Sequence, residues 1–348
     1  MRAVVYRQNG PSSVLEVCER PLPPVAPNEV LVRLARAGVN PTDWKSRQLA
    51  PPAFALVTPG EDGAGTVVEV GSAVGAHQVG DRVWVMLAQH ERPFGTAAEF
   101  VAVPEGRAVG LPDRASFDLG AALGIPAVTA HRALTSGRVP ELGPGALQGQ
   151  RVLVAGGAGA VGNAAIQLAS WAGAEVIATV SGPAKAALTA AAGAHHVLDY
   201  RDPGIASAIT SRAPDGVDLV VEVAPQVNRD LDLQVIAHGG TVAVYGTEGG
   251  HTVSLPVRDA WAKNCRYQFV LVYGLDDRAL TAAAEAITSA IADGAYGVGE
   301  SRGLPLLHFA LEDTAAAHDA VETGAVGKVL IDIESDTDSN SDVAGSAG

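Results

Sequence analysis

The segment Ala155-Gly156-Gly157-Ala158-Gly159-Ala160-Val161-Gly162 constrains this chain more than any other. It follows an apolar, strand-like run at residues 152–154 and opens a helix-like run that starts near Val161. Gly157, Gly159 and Gly162 stand in the spacing G-x-G-x-x-G, a weak signal alone. Between a strand and a helix, those glycines permit a tight turn and close approach of backbone to a pyrophosphate. The helix N-terminus then supplies the attraction for its charge.

The surroundings of the loop carry the same meaning. Strand-like runs at residues 175–180, 196–198, 217–223 and 241–245 alternate with helix-like segments, the pattern of a parallel, doubly wound α/β sheet. Residues 267–273 read as its last strand. Upstream, short runs at 3–6, 29–37, 65–70, 82–86 and 99–103 are broken by Pro and Gly, which predicts an antiparallel, partly closed barrel. The Ala-rich run 278–292 reads as a helix and 328–333 as a final strand. From residue 334 the chain is rich in Ser, Asp, Gly and Ala without a basic residue, the composition of a disordered acidic tail.

Composition narrows the function classes. A chain of 348 residues is long enough for about two domains. Lys and Arg total 24 against 38 Asp and Glu, a net charge of −14, which opposes nonspecific binding to nucleic acid or to anionic membrane. Cys18 and Cys265 are the two cysteines, too few for a disulfide scaffold or a four-cysteine zinc lobe. Residues 152–174 are uncharged, but five glycines, Asn163 and Gln167 interrupt them and no basic flank adjoins them, so a membrane helix is not expected. The N-terminus runs directly into a strand pattern, and a cytoplasmic protein is expected.

The second strand of the sheet discriminates between dinucleotides. An NAD site places Asp or Glu at its end for the ribose 2′-hydroxyl. Here the run 175–180 ends in Ser181, with Lys185 four residues on, so a hydroxyl and a cation stand ready for a 2′-phosphate. Tyr200, at the end of the third strand, can stack or hydrogen-bond beside it. NADPH is the expected cofactor. The competing reading makes Lys185 an ordinary helix lysine and Tyr200 a rim aromatic.

The chain resembles the medium-chain dehydrogenase/reductase superfamily and, within it, the zinc-independent quinone reductases of the zeta-crystallin type. The resemblance rests on Ala37-Gly38-Val39-Asn40-Pro41-Thr42-Asp43, Thr58-Pro59-Gly60-Glu61-Asp62-Gly63-Ala64-Gly65, Leu123-Gly124-Ile125-Pro126-Ala127-Val128-Thr129-Ala130, the glycine loop and Gly327-Lys328-Val329, in the family's order. It implies a GroES-like catalytic domain over residues 1–125, a Rossmann domain over 126–274 and a return to the first domain over 275–333, with 334–348 as the tail. Zinc-dependent relatives carry Cys where this chain has Asn40 and a His-Glu pair where it has Glu61-Asp62. No metal is therefore expected.

Carried over position by position, the resemblance implies that Ala158, Gly159, Ala160 and Val161 meet the pyrophosphate and that Ser181, Lys185 and Tyr200 surround the adenosine phosphate. Tyr245, Gly246 and Thr247, with Val270, Leu271 and Val272 in the sixth strand, would line the ribose and nicotinamide. Lys328 would sit near the cofactor cleft. Lys45 departs from the zeta-crystallin type, which has an aromatic residue there, and matches related oxoene reductases.

The expected reaction is hydride transfer from nicotinamide C4 to a quinone or to the β-carbon of a conjugated ketone. Asn40 is the candidate to hydrogen-bond the acceptor carbonyl, where charge develops. Standing before Pro41, with Asp43 three residues on, it also reads as a helix N-cap. Lys45 could polarise a carbonyl or contact the nicotinamide ribose, and could equally be an exposed helix lysine. Thr129 lies where the family's chain crosses the nicotinamide, or is a helix-start threonine. Quinone reduction is the leading expectation, with an enone or enoyl reductase as the rival and an NADPH-binding structural or regulatory protein as the alternative from another class. A homodimer is expected through the apolar, edge-like run 267–273.

Overall fold

The computed structural model describes residues 1–49 and 51–333; the predicted acidic tail lies outside them. The described chain divides into two units, one formed by Met1–Ile125 with residues 306–333, the other by Pro126–Pro305.

The first unit holds β1 (Arg2–Val5), β2 (Glu16–Glu19), β3 (Glu29–Val39), β4 (Asp62–Val70), β5 (Arg82–Val85), β6 (Phe100–Pro104) and β7 (Ala108–Gly110). The second supplies β8 (Arg151–Ala155), β9 (Glu175–Val180), β10 (His196–Asp199), β11 (Val217–Glu222), β12 (Ile236–Val244) and β13 (Arg266–Phe269). The chain then returns to the first unit with β14 (Leu306–Ala310) and β15 (Lys328–Asp332).

In the first unit the main sheet runs β14-β15-β3-β4-β5-β7, with β6 paired to β3. The long β3 meets β4, β6 and β15 antiparallel. Its residues Val30, Val32 and Leu34 alternate into one core with Val67, Val83, Val85, Val101 and Val103. Farther along, Ala37 and Val39 bury against Leu311, Val329 and Ile331 in a second cluster. Two registers matter for the site: Gly38 pairs with Asp62 across β3–β4, and Val39 pairs with Val329 across β15–β3. They bring the residues just beyond β3 beside the start of β4 and the start of β15.

In the second unit the sheet order is β10-β9-β8-β11-β12-β13, and every pairing is parallel. The order reverses at β8, so the crevice at that strand's carboxyl end is the place where such sheets bind ligands. The loop that leaves β8 there begins at Gly156.

Two expectations need correction. The first unit is not resumed near residue 275. Helix Asp277–Ala292 stays in the second unit, burying Leu280, Ala283, Ile287 and Ala290. Segment 293–305 stays with it because the buried amides of Asn163 and Gln167 find their partners there. Asn163 Nδ2 donates to the Arg302 carbonyl at 2.8 Å, and Gln167 Nε2 to the Gly297 carbonyl at 2.9 Å. The last strand is also shorter than the run 267–273. It ends at Phe269, and a 3₁₀ turn over Val272–Gly274 carries the chain off the sheet.

Candidate active site

Asn40 follows β3 directly and sits at the N-cap of helix Pro41–Leu49, with Pro41 at the first helical position. Its backbone makes the return bond of a capping box, the Asn40 N–H donating to Asp43 Oδ2 at 2.7 Å. Asn40 Nδ2 donates to Asp62 Oδ2 at 2.7 Å, and Asn40 Oδ1 accepts from Lys328 Nζ at 2.7 Å. The helix-start reading of this residue is thus present in its backbone, while its side chain is held between Asp62 and Lys328.

The two partners lie deep in the first unit, Asp62 at 0% exposure and Lys328 at 1%. Lys328 Nζ also donates to the Val39 carbonyl and to Asp62 Oδ2, both at 3.3 Å, while Asp62 Oδ1 accepts from the Ile125 N–H at 2.8 Å. Two glycines make room for the pair. A methyl on Gly38 would overlap the Ala121 carbonyl oxygen and stand 2.9 Å from Lys328 Cε, and one on Gly124 would overlap Asp62 Oδ1. The sequence reading placed Lys328 near the cofactor cleft; its ammonium donates to Val39, Asn40 and Asp62. Removing one partner from a buried ion pair of this kind costs about 3–5 kcal/mol of stability.

Two further carboxyls are buried nearby. Burial raises Asp43 to about 7, with Asp62 pushing the same way against the Asn40 N–H and Lys328. Burial, followed by Asp43 and Asp62, raises Glu61 to about 8, although Glu61 Oε2 accepts the N–H groups of Gln89 and His90 at 3.1 and 3.0 Å. Burial also raises Asp62, opposed by Lys328, Asn40 and Ile125. With Lys328 countering only Asp43 and Asp62, burial leaves protons on this cluster at neutral pH. Sequence reasoning treated Glu61-Asp62 only as a departure from a zinc pattern and Asp43 only as a cap. Their burial depends on strand register, which no local pattern reveals.

Lys45 lies on the same helix, half-buried, with its ammonium 5.6 Å from the Trp44 ring centroid. Thr129 is buried on helix Gly124–Leu134 in the second unit, so the three proposed catalytic residues divide between the units.

In the second unit the glycine loop is built for an anion. Gly156 takes φ 70° at the turn out of β8. A methyl on Gly162 would overlap the Gly156 carbonyl oxygen, so this glycine packs loop against helix. Gly159 is exposed, and a methyl there would meet only the Gly156 oxygen, at 3.4 Å. No side chain caps helix Ala160–Trp171 at Gly159, which leaves its first N–H groups to an outside acceptor. Gly157 and Ala158 are buried in the loop, and Ala160 and Val161 form the first helical turn. These observations fit a dinucleotide pyrophosphate.

At the end of β9, Ser181 and Lys185 are half-buried, the latter on helix Pro183–Ala191. The Tyr200 N–H donates to the Val180 carbonyl at 3.1 Å, holding the end of β10 beside them, and the Tyr200 side chain is exposed. A second cation, which sequence reasoning missed, stands here. Arg201 grips Asp199 through Nε–Oδ1 at 3.0 Å and Nη2–Oδ2 at 2.7 Å. Its Nη2 would be 3.4 Å from a methyl on Gly182, and Asp199 also accepts the Gly182 N–H at 3.3 Å. The dipeptide Tyr200-Arg201 at a strand end was the available signal. Tyr245, Gly246 and Thr247 follow β12, where the Tyr245 N–H donates to the Glu222 carbonyl at 3.0 Å. Val270 and Val272 are buried after β13 and Leu271 is exposed.

Among the described residues, no group of three or more His, Cys, Asp or Glu is placed to hold a metal ion, and no helix is long and apolar enough to cross a membrane.

A barrel-like unit followed by a six-stranded parallel sheet in this order is the architecture of the medium-chain dehydrogenases/reductases. Residues 26–113 match the family model described as an alcohol dehydrogenase GroES-like domain, and residues 160–289 the model described as a zinc-binding dehydrogenase. The chain is 30% identical to the quinone oxidoreductase of Rattus norvegicus over 341 residues, covering 95% of this chain and 97% of that one. It is 35% identical over 277 residues to a trans-enoyl reductase of Trichoderma harzianum, covering 73% and 70%. Among solved structures, the quinone oxidoreductase of Escherichia coli in complex with NADPH superposes with a TM-score of 0.79 at 25% identity, covering 95% of this chain and 99% of that one. The chain belongs to the quinone oxidoreductase family of this superfamily and is an oxidoreductase.

Proposed function

We propose that the protein is an NADPH-dependent, zinc-free reductase that converts quinones to hydroquinones. The observation that carries this reading is the Asn40 amide. Its oxygen is engaged by Lys328 and one Nδ2 hydrogen by Asp62, which leaves the second Nδ2 hydrogen for the carbonyl of an acceptor. A fixed, desolvated donor of this kind favours the oxyanion that develops as the acceptor is reduced. At the positions where zinc-dependent relatives carry Cys and His, this chain presents the Asn40 amide and Glu61, whose Oε2 is held by two backbone N–H groups. When bound, NADPH supplies a hydride from nicotinamide C4, and a proton from water completes the hydroquinone.

The glycine loop and the uncapped helix Ala160–Trp171 would hold the pyrophosphate, and Ser181, Lys185, Tyr200 and Arg201 the 2′-phosphate. The NADPH complex of the E. coli relative supports the choice of cofactor. Tyr245, Gly246, Thr247, Val270 and Val272 would line the ribose and nicotinamide, while Thr129 would meet the nicotinamide.

A second reading, reduction of a conjugated enone, is favoured by Lys45 on the helix that Asn40 caps and by the Trichoderma relative. We further propose a homodimer of a cytoplasmic protein. Among the described residues β13 pairs only with β12, and Phe269, Leu271 and Trp261 around this edge are exposed by 63%, 67% and 73%.

The direct test of the Asn40 role is Asn40→Ala. It is expected to lower kcat for quinone reduction about 10²-fold while NADPH binds as before. An unchanged kcat would contradict the assignment.

A further inference from the structure

We propose that Lys328 and Asp62 are positioning residues that act on the reaction through Asn40, and that the Lys328–Asp62 pair determines which way the Asn40 amide points. This rests on the reading of Asn40 as the donor to the acceptor carbonyl.

An asparagine amide is nearly symmetric in shape, so packing alone does not decide whether its oxygen or its nitrogen faces a given direction. Here the two neighbours are chemically opposite. Lys328 Nζ has only hydrogens to give and stands 2.7 Å from Oδ1; the Asp62 carboxylate accepts and stands 2.7 Å from Nδ2. Flipping the amide would set its NH₂ against an ammonium and its oxygen against a carboxylate. The pair therefore admits a single orientation, with one N–H committed to Asp62 and the other available.

The rest of the local structure maintains this arrangement. Lys328 is held by the Val39 carbonyl, in the strand residue immediately before Asn40, and Asp62 by the Ile125 N–H. Gly38 and Gly124 leave the space that the two side chains occupy. Because the three donors of the ammonium are all spent inside the first unit, Lys328 contributes through the amide it holds. A buried lysine in this place is costly to desolvate. A cation serving only as ballast for Asp62 would not need to reach Asn40.

The test is a double-mutant cycle on the full chain, with quinone turnover measured per molecule of bound NADPH so that misfolded protein is not counted. Lys328→Met is expected to lower kcat about tenfold or more in the wild-type background, yet by less than about twofold in the Asn40→Ala background. KM for NADPH is expected to change by less than about twofold in the single variant. If Lys328→Met does not fold, Asp62→Asn carries the same cycle, since it keeps the size of the side chain and removes its charge. Equal losses of kcat in both backgrounds would overturn the proposal, because a structural role alone is additive. A raised KM for NADPH at constant kcat would also overturn it, making Lys328 a cofactor contact. An Asn40→Ala variant with full kcat would remove the premise, and is distinguished from the other two failures because it appears without any change at Lys328.

Discussion

Lys328 Nζ and Asn40 Oδ1 are 2.7 Å apart although 288 positions separate them in the chain. The contact exists because β15 pairs antiparallel with β3 and sets Val329 opposite Val39, so that the residue before one and the residue after the other meet. β4 completes the arrangement by placing Asp62 opposite Gly38. Three strands from distant parts of the chain therefore build one polarised amide.

The glycine loop separates two effects that are often confounded. Gly159 is exposed with open space before it, whereas a methyl on Gly162 overlaps the Gly156 carbonyl oxygen. Gly159→Val is expected to leave the thermal midpoint nearly unchanged and to weaken NADPH binding by about 10²-fold or more, by filling the approach to the helix N-terminus. Gly162→Val is expected to lower the midpoint as well, because loop and helix must part. Calorimetry and titration of both variants check this; intact NADPH affinity in Gly159→Val contradicts it.

Lys185 and Arg201 are the residues proposed to separate NADPH from NADH. Losing a charge-assisted hydrogen bond to a phosphate costs about 1.5–3 kcal/mol, or about 10- to 100-fold in affinity. Lys185→Ala and Arg201→Ala are each expected to raise KM for NADPH by about tenfold and to leave KM for NADH within about twofold. Parallel initial-rate measurements with the two nucleotides decide the matter. Equal effects on both would remove these residues from the 2′-phosphate.

Glu61 links stability to pH. Its carboxyl titrates near 4.5 when unperturbed and at about 8 in the fold. Between those values the folded chain retains a proton that the unfolded chain has released. The contribution is thus fully present below about 4.5, declines as pH rises, and is gone above about 8. Asp43, raised to about 7, acts in the same direction. Glu61→Gln keeps an acceptor for the Gln89 and His90 N–H groups and removes the titration. The wild-type midpoint is expected to fall more steeply than the variant's between about pH 4.5 and about pH 8, and to run parallel to it above that. Parallel curves between those values would show that Glu61 titrates normally.

The exposed edge at β13 bears on assembly. Phe269→Asp places a charge on the free edge beside exposed Leu271. Light scattering is expected to give a dimer for the wild type and a monomer for the variant. A monomeric wild type at micromolar concentration contradicts the proposal.

The legibility of this protein follows the range of its interactions. The β8–loop–helix unit and the parallel alternation are local or periodic, and they could be read from apolar runs and from the spacing of Gly157, Gly159 and Gly162; the boundary near residue 125 comes from the family resemblance. The end of the second unit could not, because it depends on where Asn163 and Gln167 find backbone partners more than a hundred residues away. Asn40 was legible as a helix start from its neighbours Pro41 and Asp43, whereas its bonds to Lys328 and Asp62 follow from strand register. Lys328 was legible only as a residue near the cofactor cleft; its bonds to Asn40 and Asp62 follow from the β15–β3 register.

The measurement that tests the account most directly is nicotinamide oxidation by the purified full chain with NADPH or NADH, offered a para-quinone, an ortho-quinone and a simple conjugated enone in turn. The account predicts rapid turnover with NADPH and a quinone, and turnover with NADH lower by about tenfold or more. Turnover confined to the enone, or tight NADPH binding without turnover of any acceptor, would contradict it.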